Sequence, residues 1–179
     1  MLKIVLTPFM YLAGVGLFAT IVLHLASIIK IPFEHYGKVF FLAAGVFVVW
    51  LPTVLVSTKL TKDFKQKDFW KAAMRGCPPW LKKLAYVCFG YAAFNFIYMI
   101  IVGPNKDSVS TARFVSGHLL PFYSAALATL YSAIHVDEID NARRCKNGHP
   151  VSPSAKYCEE CGAPVIEIEN KFSANNRFN

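Results

Sequence analysis

TKLTKDFKQKDFWKAAMRGCPPWLKK, residues 58–83, separates two apolar halves of the chain and decides how both are oriented. It carries eight basic residues (Lys59, Lys62, Lys65, Lys67, Lys71, Arg75, Lys82 and Lys83) against two acidic ones, Asp63 and Asp68. Lysine and arginine next to apolar spans stay on the cytoplasmic side, because moving them across a bilayer is unfavourable and the cytoplasmic leaflet is anionic. The stretch reads as a cytosolic loop. It holds eight of the nineteen basic residues, so the net charge of +8 is explained by anionic headgroups, and nucleic acid is not expected as a partner.

Outward from this loop, the hydrophobic residues, 55% of the chain, gather in runs close to the roughly 20 residues that cross a bilayer. Residues 4–29 contain no charge and carry Pro8 near the start, where a helix tolerates it. A cleaved signal peptide would have a shorter apolar run and a small-residue cleavage site, so this is read as an uncleaved first span. The turn 30–38, with Glu34 and His35, leads into a second span at 39–57, where Pro52 is expected to kink the helix. Beyond the basic loop, a third span is expected at 84–102, with Asn95 near its middle bonding across to a neighbouring helix. Residues 103–113 form a second outer loop, in which Ser108 or Ser110 would cap the next helix. The fourth span, 114–136, is crowded with small residues, and Gly117, Ser124, Ala128 and Ser132 form a stripe that lets helices approach closely.

The two outer loops together carry four basic residues (Lys30, Lys38, Lys106 and Arg113) against eight in the central loop, which places both termini inside. The expected fold class is all-α: a four-transmembrane-helix bundle over 1–142, followed by a small cytosolic domain at 143–165 and a tail, 166–179, with neither period nor core. A bacterial cytoplasmic membrane is the expected location, since no organelle targeting signal is evident. Within the loop, Phe69, Trp70, Ala73, Met74 and Cys77 share one helical arc and Asp68, Lys71 and Arg75 the other. Two readings stand: an interfacial amphipathic helix ended by Pro78 and Pro79, or a segment docked on the cytosolic ends of the spans.

The C-terminal segment CKNGHPVSPSAKYCEECG, residues 145–162, has the pattern Cys-x3-His-x8-Cys-x2-Cys-Gly. Soft thiolates and an imidazole suit zinc, and four such ligands close a structural site. Three of the five cysteines lie here, which argues for thiolate ligands in a reducing compartment rather than for disulfides. The pattern resembles the zinc-ribbon family over about residues 143–165. That resemblance implies two tight turns holding one Zn²⁺, the first through Cys145 and His149, the second through Cys158 and Cys161. It departs from the commonest family pattern in the first turn, where Cys-x3-His replaces Cys-x2-Cys. A ribbon that has lost its metal and a redox Cys-x-x-Cys are the alternatives, the latter without the βαβ context that such a motif needs. The membrane region is similar to small bacterial four-span proteins, a likeness that implies no particular activity.

Two histidines lie at matching depth below the outer surface, His24 six residues before Lys30 and His118 five residues after Arg113. Each shares a face with small residues, Ala13 and Thr20 for His24, Ala125 and Ser132 for His118. Three readings compete: hydrogen bonds to neighbours such as Tyr123 or Asn95, a bis-histidine haem, or a quinone, proton or metal pathway that reaches Glu34 and His35. His135 lies at the opposite surface. The spans hold no carboxylate for a catalytic triad, no inverted repeat and no phosphate loop, which leaves hydrolysis and transport without a basis. The expected role is an interaction or accessory subunit without catalysis of its own; a haem-binding redox component is the alternative. Expected partners are the bilayer, a protein reached through the ribbon or the basic loop, and a second copy of the chain.

Overall fold

In the computed structural model, residues 2–31, 39–62, 64–103, 108–142, 145–147, 149, 151, 155–158 and 160–165 are described. Glu34, His35 and the tail 166–179 lie outside them. The described helices are α1 (Leu2–Ile28), α2 (Val39–Thr61), α3 (Phe69–Ala73), α4 (Pro79–Val102) and α5 (Ser108–Ala142), with a single 3-10 turn at Gln66–Asp68 before α3. Four of them are long and apolar enough to cross a membrane. α1, α2 and α4 expose bulky apolar side chains such as Phe18, Phe41, Leu51 and Ile97, as spans facing lipid tails do. The chain is a multi-pass membrane-type helical bundle.

The last span is the axis of that bundle. In α5, 78% of the spanning window is buried, against 28%, 28% and 22% for α1, α2 and α4. α5 packs against all three; α1 also packs on α2, whereas among the described residues α4 brings its backbone close to α5 alone. The reason is the small-residue surface expected from the sequence: Gly117, Ser124, Ala128 and Ser132 are all buried, and such residues let backbones approach without a hydrophobic driving force. Large side chains are buried among them as well, Leu130 and Tyr123 for example. Tyr123 lies where a Cβ on either Gly16 of α1 or Gly45 of α2 would strike its ring or hydroxyl, and its O–H donates to the Leu42 carbonyl of α2 at 2.7 Å. A tyrosine locked between two glycines fixes α1, α2 and α5 in one register.

The boundaries differ from expectation in places. α2 runs on to Thr61, and α4 starts at Pro79, not near residue 84. The two prolines therefore open a helix: Pro79 sits at its first position, where the missing N–H costs nothing. α5 begins at Ser108, so Ser110 lies inside the helix and does not cap it, and Arg113 is a helical residue rather than part of a loop.

The basic segment is docked. Ala72, Ala73, Met74 and Cys77 are buried, whereas Lys71 is exposed. The Gly76 N–H donates to Ser132 Oγ at 2.9 Å and the Cys77 thiol to the Ala128 carbonyl at 2.7 Å. On the other side, Arg75 Nη1 donates to the Leu60 carbonyl at 2.6 Å, satisfying an end carbonyl of α2. Its guanidinium also covers the Phe64 ring, 5.2 Å from the centroid. Helical conformation lasts only through Ala73, and the chain then turns so that Gly76 can meet α5. A Cβ at Gly76 would lie 2.6 Å from the Ser132 carbonyl oxygen, a backbone atom that has no room to give way.

Gly76→Ala is therefore expected to release this segment while the spans stay assembled. Limited trypsin digestion in detergent should cut at Lys65, Lys67 or Lys71 roughly tenfold faster, the equivalent of about 1.4 kcal/mol of lost docking. An unchanged cleavage rate would show that the contact with Ser132 does not hold the segment.

Candidate metal centre

Two short turns build the C-terminal site. In the first, the Cys145 N–H donates to the His149 carbonyl at 3.0 Å and folds the four-residue step back on itself. In the second, the Gly162 N–H donates to the Cys158 carbonyl at 2.9 Å. Gly162 takes φ +64, a left-handed conformation that glycine adopts without strain. Antiparallel bridges pair Cys145 with Val165 and Tyr157 with Pro164, and so bring the two turns together. Cys145, Val151 and Cys158 are the buried centre of this unit, with Ala155, Ala163 and Val165 against them.

The ligand atoms of Cys145, His149, Cys158 and Cys161 all lie within 4.8 Å of one another. Cys145 Sγ is 3.7 Å from Cys161 Sγ, and Cys158 Sγ is 3.8 Å from His149 Nδ1. A tetrahedron with metal–sulfur bonds of about 2.3 Å has sulfur–sulfur edges of about 3.8 Å. The cluster thus has the donor set and the size to hold a metal ion. His149, whose spacing departs from the common ribbon pattern, presents Nδ1 to the cluster.

The surroundings tune the sulfurs unequally. The Ala163 backbone N–H, then the His149 ring, lower the Cys161 thiol to about 6, whereas burial raises that of Cys158. Asn147 donates its Nδ2–H to Cys161 Sγ at 3.3 Å, a cross-turn contact that the ligand spacing does not reveal. Glu160 Oε2 lies 3.7 Å from His149 Nδ1. In the docked basic segment, burial pushes the Cys77 thiol up to about 12.

The two span histidines have separate surroundings. His24 is buried, with Nδ1 2.9 Å from Ser116 Oγ and Nε2 2.5 Å from the Tyr91 hydroxyl. Ser116 spends its own proton on the Ala112 carbonyl at 2.6 Å. Nδ1 must therefore carry the hydrogen and donate to Ser116, leaving Nε2 to accept from Tyr91. His118 is half-buried, its Nδ1 donating to the Phe114 carbonyl at 2.8 Å, its ring against Phe96 and Phe114. Both His24 nitrogens are thus engaged by neighbouring helices, and nothing in the arrangement points to a haem or a quinone. The hydrogen-bonding reading holds for His24, with Ser116 and Tyr91 as partners in place of Tyr123 and Asn95. Asn95 is buried on the Gly117 side of α5, and its Nδ2 has no hydrogen-bond partner among the described residues, contrary to the expected bond across helices. His135 donates to its own helix, to the Tyr131 carbonyl at 2.9 Å.

Compared with protein-family models, with curated proteins and with solved structures, the chain matches none. The reading of the site rests on its geometry.

The thiols provide a direct check. Cys161 is exposed in the C-terminal unit, whereas Cys77 is buried in the docked segment, where its thiol is pushed up to about 12. Iodoacetamide at pH 7 on metal-stripped protein should therefore modify Cys161 first, and Cys77 should react only after the bundle unfolds. Peptide mapping reads the order, and modification of Cys77 ahead of Cys161 would contradict the assignment.

Proposed function

We propose that this chain is a membrane-anchored zinc-ribbon protein without catalysis of its own, whose ribbon engages a protein partner. The observation that carries the reading is closure. Four ligand atoms gathered within 4.8 Å fill a tetrahedral coordination sphere and leave no position for water or substrate, as in structural rather than catalytic zinc sites. Three thiolates and one imidazole favour zinc over hard divalent cations. Three thiolate charges against the two of Zn²⁺ leave the centre with one net negative charge, partly offset by the Asn147 donor. When bound, the metal supplies most of the folding free energy of a unit whose buried centre is this small. A domain held together by metal presents its surface only while loaded, which suits recognition.

The orientation belongs to the same proposal. The excess of basic residues in 58–83 over the other loops supports both termini in the cytosol, with a bacterial inner membrane as the location. The ribbon and the docked basic segment then share one side, where a cytosolic or membrane partner reaches both, and a second copy of the chain is one such partner.

Two measurements test this. Elemental analysis of detergent-purified protein should give one zinc per chain, falling below a tenth of that in the Cys158→Ser/Cys161→Ser double variant. The thermal transition of the bundle should be unchanged, and in-cell crosslinks to the partner should be lost. Crosslinks that survive loss of the metal would overturn the recognition role. In vesicles, a membrane-impermeant maleimide should reach metal-free Cys161 only when the membrane is inverted, and labelling in right-side-out vesicles would reverse the topology.

A further inference from the structure

The ends of α1 and α4 and the start of α5 close around a cleft of about 380 Å³. Lys30 and Arg113 line it, with Ser27, Tyr98, Val102 and Ser110, and no carboxylate is among the described residues that do so. Three observations mark it as a place for an anion. Arg113 stacks over the Tyr98 ring, its Cζ 4.8 Å from the centroid, and its Nε is buried with no hydrogen-bond partner among the described residues. A guanidinium is always charged and offers donors only, so a buried donor left over calls for an acceptor.

Lys30 supplies the second observation. It takes φ 54, and the Ile31 N–H reaches back to the Ala26 carbonyl at 3.1 Å, the closing bond of a left-handed helix cap. Glycine fits that position without strain and lysine does not. A lysine held there adds a second cation to the lining of the cleft that Arg113 also lines. The third observation is the positive end of the α5 dipole, since Val109 and Ser110 of its first turn line the same space. Ser27 adds no donor, because its hydroxyl is committed to the His24 carbonyl at 2.6 Å.

We propose that this cleft binds the phosphate of an anionic phospholipid, held between Lys30 and Arg113. The cleft is formed where three spans end, which is the depth of lipid headgroups. Val102 gives it an apolar wall, continuous with the exposed Ile101 of α4 against which an acyl chain can lie. Guanidinium and ammonium together suit a group with charged oxygens, and a net negative lipid is favoured over a zwitterionic one whose own cation would compete.

The test is native mass spectrometry of the full chain in detergent, titrated with phosphatidylglycerol or phosphatidylcholine. One phosphatidylglycerol should be retained in preference to phosphatidylcholine, and Arg113→Gln should weaken retention roughly tenfold. Lys30→Gly separates binding from folding: it relieves the left-handed backbone, so the thermal transition should hold or rise while phosphatidylglycerol retention falls. Equal retention of the two lipids, or retention unchanged in both variants, overturns the proposal. If inorganic phosphate alone stabilised delipidated protein and phosphatidylglycerol did not, the lipid assignment would fall and a free anion would replace it.

Discussion

Helices in lipid are not driven together by water, so a bundle must be assembled from contacts closer than those that lipid tails can offer. Here that requirement is met on one helix. α5 has a surface narrow enough for α1, α2 and α4 each to approach it, and the other features of the membrane region hang on its position. Tyr123 supplies the bulk that small residues lack, and its fit depends on the absence of side chains at Gly16 and Gly45. The basic segment is seated on Ser132 and Ala128 of the same helix, and the cationic cleft is closed by its first turn.

The metal cluster is held by a different physics. Its unit buries little apolar surface, so an ion held by the four ligands would join the two turns more strongly than burial does. On the proposed zinc reading the bundle and the C-terminal unit are stabilised by different means, close helix contact in one and coordination in the other, and a change in zinc supply would act on the second alone.

The sequence was most legible where composition alone decides. Twenty apolar residues without charge have few alternatives, and four cysteine and histidine ligands at turn spacing have fewer still, so the spans and the cluster could be read directly. Errors arose where a residue type has two uses. Pro78 and Pro79 read as a stop although proline also starts helices, and Arg113 read as loop because a cation seldom enters a span. The arc of Phe69, Trp70, Ala73, Met74 and Cys77 left surface binding and docking equal. Periodicity says which residues share a face, and Gly76 had to be seen against Ser132 to learn what that face meets. The depth of His24 was visible, but its partners Ser116 and Tyr91 depend on helix rotation, which one sequence does not encode separately.

The arrangement around α5 also bears on how the protein is made. Ribosomes deliver the spans in chain order, and the one that organises the others arrives last. α1 and α2 can pair as soon as both are inserted, but α4 meets α1 through side chains such as Tyr91 on His24 and finds its close backbone contact only when α5 emerges. With the ribosome partway through, the nascent protein is a hairpin and a third span without its main packing surface, and the place beside Gly16 and Gly45 that Tyr123 fills is still open. Completion of the last span thus coincides with assembly of the whole bundle, and a chain cut short before it would have an open flank for quality-control proteases to find.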